Sequence, residues 1–153
     1  MNSRLAEATS VQSQSTTVRR SRAVIAAVAS ACAAWLLIEG LGEVDLRAPA
    51  SGGNASGQDI GLLGVLFASL AASLAGWLAL GLIERYTARP RRWWVSIAVV
   101  AFVLSLGGPM SGTGIDNTDR ALLVLLHLVV AVVLIPLLYR TIDNRAETTD
   151  EHD

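Results

Sequence analysis

The chain has 153 residues, of which 52% are hydrophobic and only 16% charged, and its mean hydropathy is +0.49. A soluble domain of this size would need far more polar surface, because small globules expose most of their area. The net charge of −1 gives no reason to expect a nucleic-acid partner, and a single cysteine, Cys32, excludes a disulfide framework.

The charged residues gather at the two ends and in three short connections, leaving long apolar runs between them. All the basic residues are arginine, a composition that suggests a high-GC bacterial genome. Residues 1–21 are rich in Ser, Thr, Gln and Arg and read as a disordered tail. The first apolar helix is expected at about 23–41, interrupted only by Glu39. Arg19, Arg20 and Arg22 before it look like the basic start of a signal peptide, and Ala29-Ser30-Ala31-Cys32 loosely resembles a cleavage box. The chain stays apolar beyond Cys32, however, through Trp35-Leu36-Leu37-Ile38, so an uncleaved helix is the better reading.

A Gly/Ser/Asn-rich loop follows, near Ala48 to Asp59, and reads as flexible; its Asn54-Ala55-Ser56 glycosylation triplet is common by chance. The second helix is expected at 60–83. The third, at 93–110, closes on Gly107-Gly108-Pro109, and the fourth, at 121–139, contains Pro136. At about 1.5 Å per residue these runs reach roughly 27 to 36 Å, against a hydrocarbon core of about 30 Å. None shows the two-residue alternation of a barrel strand, so helices are required. Residues 141–153 are polar and acidic and read as a second disordered tail.

The arginines set an orientation. Arg4, Arg19, Arg20, Arg22, Arg85, Arg89, Arg91, Arg92, Arg140 and Arg145 fall on one side of an even number of spans, and only Arg47 and Arg120 on the other. The richer side is expected in the cytoplasm. Trp93, Trp94 and Tyr139 then anchor the inner interface and Trp35 the outer one. The expected architecture is all-α: an integral membrane four-helix bundle, both termini cytoplasmic, its spanning domain at 22–140. A multi-pass protein of the bacterial inner (plasma) membrane follows. The inner arginines also suit contact with anionic lipid.

Membrane helices associate by close backbone approach, because lipid is as apolar as leucine. Gly64, Ala68, Ala72 and Gly76 recur at every fourth position of the second helix and form such a surface. The first helix, small at Ala26, Ala27, Ser30, Ala33 and Ala34, is the expected partner. Packing within the chain is preferred to a homodimer seam, although a homo-oligomer or another membrane protein stays open as a partner beside the lipid bilayer.

Two ionisable residues interrupt the apolar runs, Glu39 and His127. Such groups are costly in lipid and are functional candidates by default. Glu39 falls near the outer end of the first helix, and His127 about 9 Å below the outer boundary. With Ser105 they could share one layer. A facing Glu39–His127 pair would suit proton acceptance or a shared metal. Set apart, Glu39 would lie at the interface near Arg47 or Arg120, and His127 would bond a serine or a backbone carbonyl. The second arrangement is favoured, because one histidine and one carboxylate make no complete site. No second buried histidine, cysteine pair, base-activated nucleophile or phosphate-cradling loop is present, so no catalytic residue, metal or cofactor is expected.

Arg91-Arg92-Trp93-Trp94 opens the third helix, Leu104-Ser105-Leu106-Gly107-Gly108-Pro109 closes it, and Leu125-Leu126-His127-Leu128-Val129-Val130-Ala131 leads to Pro136 in the fourth. In these motifs the stretch from Arg22 to Ile142 resembles an uncharacterised family of small four-helix actinobacterial membrane proteins, a domain of unknown function. The resemblance implies four spans and carries no activity. The expected role is therefore non-enzymatic: structural, accessory or regulatory. A small transporter or proton-coupled carrier using Glu39 and His127 is the alternative, and an enzyme acting on a lipid or quinone has the least support.

Overall fold

A computed structural model of the chain describes residues 2–42, 46–48, 58–111 and 114–142. Helix α1 runs from Asn2 to Gly42, α2 from Leu62 to Tyr86, α3 from Pro90 to Ser105, the short α4 from Gly107 to Ser111, and α5 from Asn117 to Tyr139. Four helical segments are long and apolar enough to cross a membrane: Thr16–Gly40, Leu62–Tyr86, Pro90–Ser111 and Asn117–Tyr139. The molecule is an all-α, multi-pass membrane protein.

The first expected boundary is corrected. The helix does not begin after a tail at 1–21 but continues back to Asn2. No proline or glycine occurs from Asn2 to Glu39, so nothing breaks the hydrogen-bond ladder once it has started. The expected second tail is also shortened, because Thr141 and Ile142 are buried against the helices. Residues 143–153, and most of the loop read as flexible with its glycosylation triplet, lie outside the described residues. The ends of that loop form a small antiparallel pair, β1 (Arg47–Ala48) with β2 (Gln58–Asp59), in the register Arg47 opposite Asp59.

Local chemistry explains the other boundaries. The Thr87 N–H donates to the Ile83 carbonyl at 3.0 Å and ends α2. Pro90 then opens α3 at a position where a missing N–H costs nothing. Pro109 has no N–H to offer the Ser105 carbonyl, and the helix breaks there, with Leu106 as the turn into α4. The Asp116 side chain caps α5 by accepting the Asp119 N–H at 2.8 Å. Helix α5 then runs through Pro136 without interruption.

Helix α1 packs mainly on α5 and α2, while α3 leans on α5 and α2 and has no comparable contact with α1. Two apolar cores result. One, at the arginine-rich end, gathers Ala23, Ala27, Leu80, Trp94, Leu134 and Leu138. The other, at the hairpin end, gathers Ala31, Trp35, Leu46, Val65, Leu123 and Leu126. Leu46 is fully buried, and its carbonyl accepts the Ile60 N–H at 2.8 Å. Trp35 donates its indole N–H to the Ile60 carbonyl at 3.0 Å. The two adjacent tryptophans of α3 separate: Trp93 is 54% exposed, whereas Trp94 is only 3% exposed. Trp94 is thus a core residue and not a second interfacial anchor.

Candidate functional site

A cleft of about 520 Å³ lies between α2, α3 and α5, with Ala31 of α1 also in its lining. That volume falls in the range of about 300 to 1,000 Å³ common for ligand sites. The α2 wall is the small-residue stripe, Gly64, Ala68, Ala72 and Gly76. Helix α3 contributes Ala98, Ala101 and Ser105, and α5 contributes His127, Val130 and Ala131.

The stripe therefore does not have the neighbour expected of it. Gly64, Ala68 and Ala72 are exposed and border the cleft. A Cβ on Gly64 would meet only the Ile60 side chain at 3.4 Å. Gly76 alone is closely covered: a Cβ there would touch Leu134 at 3.4 Å and Leu138 and Trp94 at 3.7 Å. None of these neighbours belongs to α1. The buried face of α2 is a different one, formed by Val65, Ser69, Ser73, Leu80 and Ile83. The stripe thus divides into an open stretch and one tight crossing. Ala68→Leu is expected to leave thermal stability in detergent unchanged. Gly76→Leu should lower it by about 1–3 kcal/mol through overpacking, and equal losses in both would contradict this division.

The polar groups of the cleft are few. Ser69 donates to the Leu66 carbonyl at 3.1 Å, and Ser105 to the Phe102 carbonyl at 2.6 Å. The Nδ1 of His127 lies 2.8 Å from the Leu123 carbonyl. A carbonyl can only accept, so Nδ1 carries the proton in this contact. Trp94 bonds the Ile135 carbonyl at 3.2 Å. Ser105 and His127 therefore share a cleft, as their depths suggested. Glu39 is half-buried but does not line it. Among the described residues no hydrogen bond or ion pair joins Glu39 to His127. Arg47 pairs with Asp59 at 3.3 Å, and Arg120 donates to the Pro109 and Met110 carbonyls at 3.0 and 2.7 Å. Also among the described residues, no three His, Cys, Asp or Glu side chains cluster as metal ligands.

The sequence reading missed the strongest polar contact. One Arg20 nitrogen bonds both Glu84 carboxylate oxygens, at 2.6 and 2.7 Å, and Nε donates to the Thr141 hydroxyl at 3.2 Å. This ties α1, α2 and the end of α5 together at the arginine-rich end. The available signal was Glu84 itself, the lone acid beside a connection that carries four arginines. Arg91 is similarly committed: it lies 5.3 Å from the Tyr139 ring centroid and reaches the Ile142 carbonyl at 3.5 Å.

The model of a family of unknown function, DUF6069, matches residues 11–144. The chain belongs to that family. The matched residues take in every spanning segment, both cores, the cleft and the Arg20–Glu84–Thr141 contact. No curated protein and no solved structure matches the chain.

Proposed function

We propose that the protein is a non-catalytic accessory or regulatory component of a bacterial plasma membrane, with both termini in the cytoplasm, and that its cleft seats a transmembrane helix of another membrane protein. The observation that carries this reading is the open wall of α2. Gly64, Ala68 and Ala72 stand exposed at four-residue spacing beside a hollow walled by further alanines. Small residues in this pattern let a second backbone approach closely. Along α2 the cleft lining runs from Gly64 to Ala79, roughly 22 Å at 1.5 Å per residue, which is most of a hydrocarbon core of about 30 Å. The concentration of arginines at one end supports the orientation.

The carrier alternative requires Glu39 and His127 on one polar cavity. It draws little support from a cleft whose walls are mainly apolar and that includes His127 without Glu39.

A photoreactive residue at Ala72, compared with one at the exposed Val99, tests the proposal in native membranes. A discrete protein adduct from Ala72 alone is expected, lost when Ala68→Leu is added. An adduct of twice the chain mass would make the seated helix that of a second copy. Lipid adducts alone, or equal yields from both positions, would remove the reading.

A further inference from the structure

We propose that a second hollow, at the arginine-rich end, binds one anionic phospholipid. It measures about 320 Å³ and lies between α1 and α5. Arg19, Arg22 and Arg140 stand around it, over a floor of Ala23, Ala26 and Leu137. The register explains the arrangement. Positions 19, 22, 23 and 26 follow one face of α1, and Leu137 with the C-cap residue Arg140 forms the end of α5. Both are charged toward the helix end and apolar toward the membrane interior. From Arg19 to Ala26 is roughly 10 Å along the axis, enough to place a phosphate among the guanidinium groups and the start of an acyl chain on the floor.

Two other arginines at the same end are already engaged inside the fold. Arg20 has Glu84, and Arg91 has the Tyr139 ring and the Ile142 carbonyl. The three arginines of the hollow are all exposed, and no carboxylate is among the residues lining it. Arg19 is held in place, because its guanidinium donates to the Arg140 carbonyl at 2.5 Å. Three like charges converging on one space repel unless an anion lies between them. Planar guanidinium groups suit phosphate oxygens, and basic pockets between spanning helices are a recurring way to hold acidic headgroups. The chemistry recognised is a phosphate ester, and the apolar floor selects the lipid form over free phosphate. This site needs only the membrane-spanning reading. It is independent of what the α2–α3–α5 cleft holds.

Native mass spectrometry of the full chain, released from detergent micelles, tests the proposal. Phosphatidylglycerol, phosphatidylcholine and inorganic phosphate are the probes. One retained phosphatidylglycerol per chain is expected at low excess, with phosphatidylcholine at least about ten-fold weaker and inorganic phosphate unable to displace it. A basic side chain near the surface contributes about 1 kcal/mol, roughly five-fold in affinity, so Arg22→Gln with Arg140→Gln should lose about 25-fold. The charge-matched pair Arg85→Gln with Arg92→Gln, outside the hollow, should lose at least about ten-fold less. Ala26→Phe fills the floor with every arginine kept and should also release the lipid, which guards against misfolding of the charge variants. Equal losses in both charge pairs, equal retention of phosphatidylcholine, displacement by inorganic phosphate, or full binding by Ala26→Phe would each overturn the proposal.

Discussion

Arg20→Ala is expected to lower unfolding stability in mixed micelles by about 3 kcal/mol, one of the two largest single-residue effects in the molecule. The Arg20 side chain is 10% exposed and that of Glu84 27%, so both charges lie largely out of water. Deleting one leaves the other half-buried without a counter-charge, and the Thr141 hydroxyl loses its donor. The intact pair is worth much less than this loss, because its own formation already pays for desolvation. Arg20→Met combined with Glu84→Leu should therefore recover most of the stability, since two apolar side chains carry no such penalty. A denaturing-detergent titration of the three variants decides the point. A loss below about 1 kcal/mol for Arg20→Ala would place the pair with solvated surface ion pairs.

Distance along each helix was legible in the sequence, and rotation about each axis was not. Depth follows from residue count at about 1.5 Å per residue. It placed the four spans, and it put Ser105 and His127 at depths from which they do line one cleft. Rotation is normally read from a polar stripe opposite an apolar one. In lipid both faces are apolar, so that signal fades. The four-residue spacing from Gly64 to Gly76 defined a face of α2 but not its neighbour. That face proved to border the cleft, with only Gly76 tightly covered. Glu39 is likewise absent from the lining of the cleft that His127 borders.

The polar contacts at the helix ends were hidden differently. Counted as topology signals, the arginines look interchangeable. The fold gives them separate tasks: Arg20 closes an ion pair, Arg91 covers an aromatic ring, and Arg19, Arg22 and Arg140 surround a hollow. Each assignment depends on which helices become neighbours, and the arginines around the hollow, Arg19 and Arg140, are more than a hundred positions apart in the chain. The early start of α1 was missed because polar composition was read as disorder. An unbroken run without proline or glycine permits helix all the same.

Trp94→Ala is expected to match or exceed the loss at Arg20, at about 3 kcal/mol, while Trp93→Ala changes stability by less than about 0.5 kcal/mol. Consecutive helical residues point about 100° apart, so only one of the two rings can enter the core. Trp94 does, packing with Leu134 and Leu138 of α5 and donating to the Ile135 carbonyl at 3.2 Å. Hydrophobic transfer contributes little here, because lipid would accept the ring as readily as the protein does. The cost comes instead from the void left beside α5 and from lost dispersion contacts. Helix α3 feels this loss most, because it has the smallest buried share of the four spans and no extensive contact with α1. Its buried side chains are Trp94 and Ala98 alone. Trp94→Ala should therefore loosen α3 before the α1–α2–α5 core. Hydrogen exchange in micelles is expected to rise first across Pro90–Ser105, ahead of Leu62–Tyr86 and Asn117–Tyr139. Uniform acceleration across all spans would mean that α3 is not a separable layer.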